Sequence, residues 1–325
     1  MEGTSAARAL PRSDALGGRW RALGPTGGAL VALVVLVVLN AIFTPNFASV
    51  GNLWNVLFQL SVTLLVAVGM TLVIATGGID LSVGSVMAVS AAVAAVTLDR
   101  GILVAVPAAL LVASAVGLLN GVFIARSRVQ PIVVTLATLL AGRGLAQVIN
   151  RGGALITIDE PAFLWFGRGY LGPVPTQVLL AAVVVALAIF VLLKTPFGRY
   201  VLAAGGNPAA ARLAGVPVNR TVVTVYVLSG LLAGLAGLVE AARLGASAAA
   251  RIGQNVEFDA IAAVVVGGTL LSGGRATIFG TVVGALIMQV IATSFNMLLV
   301  PYAWSLAFKA VIILFAVYLQ RPRRV

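Results

Sequence analysis

Residues 69–95 read GMTLVIATGGIDLSVGSVMAVSAAVAA, and their reading decides the fold. Two apolar flanks, each long enough to enter a bilayer, surround a polar centre, Thr76-Gly77-Gly78-Ile79-Asp80-Leu81-Ser82. Asp80 is the only acidic residue between Asp14 and Asp99. A carboxylate so placed either caps a turn at the membrane face or sits inside a polar pathway, because a bare charge in lipid is costly.

Working outward, the same pattern fills the chain. Of its 325 residues 61% are hydrophobic and 9% charged, with a mean hydropathy of +1.11. Soluble domains carry about 25% charged residues, so this is a membrane chain. Only helices and closed barrels satisfy the backbone in lipid, and these apolar runs are continuous rather than alternating. The expected class is all-α, a polytopic transmembrane helical bundle. There is no Cys and no His, which removes thiol nucleophiles, disulfides and Cys/His metal sites. No catalytic and no metal-binding residue is expected.

About ten spans emerge, at 27–43, 55–76, 82–98, 102–125, 131–150, 176–194, 220–242, 258–271, 276–297 and 302–320, leaving tails at 1–26 and 321–325. The first run lacks a small-residue cleavage site and reads as a retained helix. With the N-terminus inside and alternating spans, inside segments hold 14 of the 21 Lys and Arg, among them Arg8, Arg12, Arg19, Arg21, Arg126, Arg128, Lys194, Arg199, Arg212 and Arg220. Outside segments hold Arg100, Arg151, Arg168, Arg243 and Arg251. Both termini are thus expected in the cytoplasm, and the net charge of +12 reflects this asymmetry rather than nucleic-acid binding. The longest outside segment, 151–175, carries Trp165, Phe166 and Tyr170, either an interfacial belt or a docking surface.

The longest inside segment is TPFGRYVLAAGGNPAAARLAGVPVNR, 195–220. Asn207 suits an N-cap and Pro208 the first helical position. Ala209, Ala210, Ala211, Arg212 and Leu213 favour helix, and Ala214-Gly215 with Pro217 stop it. A helix of two turns cannot hold itself together in water, so it packs on its own membrane domain or on a partner. It reads either as a connector or as a coupling helix docked on an ATPase. The chain has no Walker-type phosphate loop, so any ATP and Mg chemistry belongs to another polypeptide.

Three segments, GMTLVIATGGIDLSVGSVMAV at 69–89, GRYVLAAGGNPAAARLAGV at 198–216 and VVVGGTLLSGGRATIFGTVVGALI at 264–287, together resemble permeases of bacterial ABC sugar importers of the ribose, xylose and galactofuranose type. The likeness runs over about 30–320 in the family's order. The galactofuranose permease looks nearest, at GMTLVIATGGIDLSVG, AGRGLAQ and around Trp165-Phe166-Gly167. The resemblance implies an ABC-importer permease architecture in the bacterial inner membrane, moving a monosaccharide of the pentose, hexose or galactofuranose class. It implies a second permease copy, cytoplasmic ABC ATPases and an extracytoplasmic sugar-binding protein as partners. It also gives 207–215 the coupling role.

Gly77-Gly78-Ile79-Asp80-Leu81-Ser82-Val83-Gly84 recurs as Gly267-Gly268-Thr269-Leu270-Leu271-Ser272-Gly273-Gly274, both fitting G-G-x-x-L-S-x-G. Simple alternation puts both on the cytoplasmic side, where they read as tight turns with Ser82 or Asp80 capping, or as gates. Polar residues within spans fall on single faces, Gln59 with Thr63 and Gln289 with Thr293 and Asn296. Gln59, Gln289 and Asn296 fit sugar hydroxyls or helix–helix hydrogen bonds equally. Gly230-Gly234 and Gly280-Gly284 read as close-packing faces. An ion-driven secondary transporter, the rival class, requires a mid-membrane carboxylate or His relay. Within the spans the sequence offers only Glu240 and Asp259, near the outer ends.

Overall fold

The computed structural model describes residues 24–127 and 129–319, so Arg128, most of the 1–26 tail and the 321–325 tail lie outside the described residues. The long helices are α1 (Gly24–Phe43), α2 (Val50–Ala75), α3 (Val83–Thr97), α4 (Ile102–Ser127), α5 (Pro131–Ile149), α7 (Thr176–Lys194), α10 (Val218–Leu244) and α12 (Ile278–Met297). A 3₁₀ turn, Leu98–Arg100, extends α3. Among the described residues these 8, with the turn counted into α3, are the helices long and apolar enough to cross a membrane. Shorter helices are α6 (Pro161–Arg168), α8 (Pro196–Gly206), α9 (Pro208–Leu213) and α11 (Val256–Val266), and α13 (Tyr302–Leu319) closes the chain.

One of the ten expected spans comes out differently. The run at 258–271 supplies only α11, whose 11 residues reach about 16 Å, half of a hydrocarbon core. Hydropathy continues past Val266, but Gly268 takes φ +94 and Thr269 N donates to the Val264 carbonyl at 3.2 Å, which ends the helix, while Gly267 packs directly against the Gly280 backbone. The run at 302–320 is the helix α13, with a described apolar stretch of Ala303–Leu314.

The core is built from α2, α3, α10 and α12, whose inward faces are small residues at close approach. Gly230 and Gly234 of α10 meet Ala113 and Gly117 of α4, while Gly280 and Gly284 of α12 meet Gly267 and Ala263. The close-packing reading of both pairs holds. By contrast α5 exposes Leu136, Leu140, Leu145 and Val148, the lipid-ready side of the bundle.

Loops 150–175 and 245–255 join at one end of α10. Two-residue strands β1 (Ile156–Thr157) and β4 (Ala246–Ser247) pair antiparallel, and β2 (Tyr170–Leu171) pairs with β3 (Val174–Pro175). Asn150 Nδ2 donates to the Ser247 carbonyl at 3.0 Å. The segment 195–217 lies at the other end of α10, roughly 40 Å away along its 27 residues.

Candidate transport site

Two non-helical segments enter the bundle from opposite ends, and α5 serves as the ruler for both. Segment 76–82 leaves the end of α2 and runs up α5. Thr135, near the start of α5, donates to the Ile79 carbonyl at 3.3 Å, and Tyr226 Oη donates to the same oxygen at 3.4 Å. Two turns further along α5, Ser85 approaches Gly142. Helix α3 therefore starts inside the bundle rather than at its surface.

Segment 246–255 descends from the other end. Arg143, six residues and about 9 Å from the end of α5, donates to the carbonyls of Ala249 at 3.3 Å, Ile252 at 2.7 Å and Gly253. Gly253 N in turn donates to Glu240 Oε2 at 3.1 Å. The segments meet at Gly84 and Gly253, backbone against backbone, each position too tight for a Cβ. Gly253 has φ +63 and follows a turn at 248–252, so glycine is required there twice over.

Around this meeting point lie the groups a membrane interior does not hold by accident. Asp80 is 1% exposed. Its Oδ1 accepts from Ser82 N at 3.0 Å and Ser82 Oγ at 2.6 Å, and its Oδ2 accepts from Ser229 Oγ at 2.9 Å. Ser82 Oγ accepts from Asn120 Nδ2 at 2.9 Å, and Asn120 Oδ1 accepts from Thr138 Oγ1 at 2.6 Å. One polar chain thus ties α3, α4, α5 and α10 at the foot of α3. Ser82 is the N-cap residue of α3 without a side-chain cap bond, so Asp80 fastens the turn rather than the helix.

Glu257, at 5% exposure, is buried next to Gly84, and its Oε2 has no hydrogen-bond partner among the described residues. Alternating spans put it in an outer segment, and within the spans themselves the sequence offers only Glu240 and Asp259. The structure instead gathers Glu240 and Glu257 around Arg143, because the segment that carries Glu257 dips inward. Only a long-range partner reveals this, and Arg143 within AGRGLAQ is the one signal that pointed to it.

The glutamine ladder sits elsewhere. Gln289 Nε2 donates to Gln59 Oε1 at 3.3 Å and to Thr293 Oγ1 at 3.2 Å, and Gln59 Nε2 donates to Asn55 Oδ1 at 3.0 Å. It joins α2 to α12 at their far ends, whereas the Thr71 and Thr281 hydroxyls, 2.7 Å apart, join them nearer the glycine motifs. Asn296 is exposed and lies outside this chain of bonds.

The two glycine motifs meet each other. Gly274 N donates to the Ala75 carbonyl at 2.9 Å, and Gly273 packs on Gly77. Between them sits Gly205, near the end of α8. Asn207 Oδ1 then caps α9, accepting from Ala209 N at 3.1 Å and Ala210 N at 3.0 Å. Gly215 closes it at φ +82, with Val216 N donating to the Ala211 carbonyl at 3.0 Å. Ala211 turns inward onto Ala204 and Val218. Pro208, Ala209, Ala210, Arg212, Leu213 and Ala214 all remain exposed, Leu213 at 92%. Helix α8 itself was not expected, although Thr195-Pro196 is a start signal: Thr195 Oγ1 accepts from Gly198 N at 3.4 Å.

Comparison with known proteins fits this architecture. Residues 52–317 match the family described as branched-chain amino acid transport system, permease component. The ribose import permease protein of Escherichia coli strain K12 is 45% identical over 301 residues, covering 91% of this chain and 94% of that protein. That of Bacillus subtilis strain 168 is 41% identical over 302 residues, covering 91% and 92%. The galactofuranose transporter permease protein of Escherichia coli strain K12 is 39% identical over 318 residues, covering 94% and 91%. The ribose permeases are thus the more similar of these, although the motifs alone point to the galactofuranose permease. No solved structure matches. A polytopic bundle of this kind, matched over most of its length, belongs to the permease-component family of ABC importers, whose members are non-catalytic transport subunits.

Proposed function

We propose that the chain is the membrane permease of an ATP-driven monosaccharide importer of the bacterial inner membrane. The observation that carries this is α9: a short helix capped at both ends, whose apolar Leu213 stands 92% exposed beside Arg212. A helix so short gains its stability from packing, and here most of its surface is left for a partner. The partner is a cytoplasmic ABC ATPase holding ATP and Mg; this chain contributes no cofactor chemistry. The positive-inside bias supports cytoplasmic termini, with α9 on the same side. Loop 150–175, tied to the inward-turning 246–255 segment by β1–β4 and carrying exposed Trp165 and Tyr170, then faces a sugar-binding protein outside. Two permease copies enclose the pathway.

The sugar class is supported by the relatives, whose names give ribose, galactofuranose, fructose and L-arabinose. The family description names branched-chain amino acids instead, so the test must separate the two. Vesicles carrying the chain with its ATPase and binding protein are expected to accumulate labelled ribose or another monosaccharide on ATP, with excess leucine not competing. Uptake of leucine, or sugar uptake that persists on an ion gradient with the ATPase inactivated, sinks the reading.

A further inference from the structure

The function above uses the exposed face of α9 and the broken segments inside the bundle, but it does not say how one reaches the other. Three backbones meet between them. Gly205 approaches so closely that a Cβ there would strike the Ala75 carbonyl oxygen and lie 2.7 Å from Gly274 N. A Cβ at Gly273 would lie 2.8 Å from Gly77 N and 3.0 Å from the Gly205 carbonyl oxygen. Gly274 N donates to Ala75 O at 2.9 Å, which locks the loop after α11 to the last residue of α2. Gly77, Gly273 and Gly274 have φ values of +81, +81 and +78, and the repeated G-G-x-x-L-S-x-G motif supplies all three.

Each arm of this junction leads somewhere specific. Gly205 stands two residues before Asn207, the cap of α9, and Asn207 N donates to the Ala203 carbonyl at 3.2 Å, so α8 and α9 are joined without a free linker. Ala75–Gly77 opens the segment that carries Asp80 into the bundle. Gly273-Gly274 belongs to the loop between the half-helix α11 and α12. A contact made by side chains can be absorbed by a change of rotamer. A backbone-on-backbone contact has no rotamer, so displacement on one side is passed to the other.

We propose that this glycine junction is the transmission point of the transporter, with Gly205 as its positioning residue: movement of α8–α9 displaces the ends of α2 and of the α11–α12 loop together. The two copies of the motif are then one device, a paired seat for Gly205. This rests on the reading of α9 as the ATPase-docking helix.

The test uses the complete importer in vesicles, with ATP hydrolysed and sugar taken up measured in the same preparation. Gly205→Ala leaves 207–215 untouched, so the ATPase is expected to co-purify at the normal level and to hydrolyse ATP. Sugar moved per ATP is expected to fall roughly tenfold, the scale of misplacing a packed element by a fraction of an ångström. Gly206→Ala, whose Cβ would meet only Gly274 Cα at 3.7 Å, is expected to keep the normal ratio. An unchanged ratio in Gly205→Ala overturns the proposal, because a merely structural glycine would alter yield and not coupling. If Gly205→Ala does not accumulate, hydrogen exchange on the unaltered importer decides. Exchange at 76–78 and 273–274 should change together when the ATPase binds a non-hydrolysable ATP analogue, and no change there overturns it. A chain that retains no ATPase at all removes the proposed function, an outcome separate from an unchanged ratio.

Discussion

Asp80 illustrates how a charge is kept inside a membrane bundle. All three of its hydrogen bonds come from donors, two from Ser82 and one from Ser229, so the carboxylate acts purely as an acceptor. Asparagine keeps one acceptor for Ser82, and the Ser229 hydroxyl can turn to accept from the new amide. Asp80→Asn is therefore expected to cost about 1 kcal/mol and to keep sugar uptake, whereas Asp80→Ala leaves three buried donors bare and costs about 3 kcal/mol or more. Unfolding midpoints in detergent with parallel uptake assays check both; loss of uptake by a stable Asn variant would make the carboxylate part of the gate. Arg143 and Glu257 test the buried cluster from its two charges. Arg143→Leu frees three buried carbonyls and is expected to lower stability by about 3 kcal/mol, since each orphaned group costs about 1–3 kcal/mol. Glu257→Gln keeps the shape but removes one of the two carboxylates that face Arg143; Glu240 still balances the cation, so the midpoint should fall by less than in Arg143→Leu. Asp80 was visible in the sequence as an isolated carboxylate. Its partner Ser229 and the Arg143 cluster were not, because each bond spans about a hundred residues or more, and no local pattern records which distant donor arrives.

At the scale of elements, the helices read from the sequence are those whose signals are continuous or terminal. The long spans follow from uninterrupted hydropathy, and α9 follows from Asn207, Pro208 and Gly215 at its ends. Besides the short helices α6 and α8, two elements escaped for opposite reasons. Hydropathy carries on past Val266, yet α11 stops there because Gly268 turns the chain at φ +94, with Thr269 N donating to the Val264 carbonyl at 3.2 Å; a glycine stop leaves no trace in a hydropathy profile. Segment 246–255 reads as an outer loop because it is polar and turn-rich, yet it lies inside because Arg143 satisfies its carbonyls. For α9 the prediction separates stability from docking. Asn207→Ala removes the cap and is expected to cost about 1 kcal/mol locally, fraying the helix and weakening ATPase retention several-fold. Leu213→Asp and Ala210→Glu alter only exposed positions, so the chain should insert normally and lose the ATPase in a pull-down. Gly215→Trp should do the same, with added strain from its φ of +82. Normal retention by all of these would take the docking role away from α9.

Across the whole molecule, burial divides the bundle into a core and a rim. Helices α2 and α12 are mostly buried and pack together from the Thr71–Thr281 pair to the Gln59–Gln289 pair. Helices α4 and α5 turn most of their surface outward, to lipid or to a second copy. If the glycine junction drives the cycle, α2 and α12 should move as one body, because Gly274 and Ala75 tie the junction to both of them. Motion would then be taken up where the broken segments meet α5 and α10. The absence of native cysteine makes this testable with one engineered pair. The Thr71 and Thr281 oxygens are 2.7 Å apart, so thiols at these positions are within reach of a disulfide. T71C/T281C should crosslink on mild oxidation, seen as a reductant-sensitive shift in gel mobility. The crosslinked importer should keep its sugar uptake within about twofold, since the bond adds nothing to a pair that already moves together. A crosslink that forms readily and abolishes uptake, with recovery on reduction, would show that α2 and α12 shear past one another, and would move the working parts from the rim into the core.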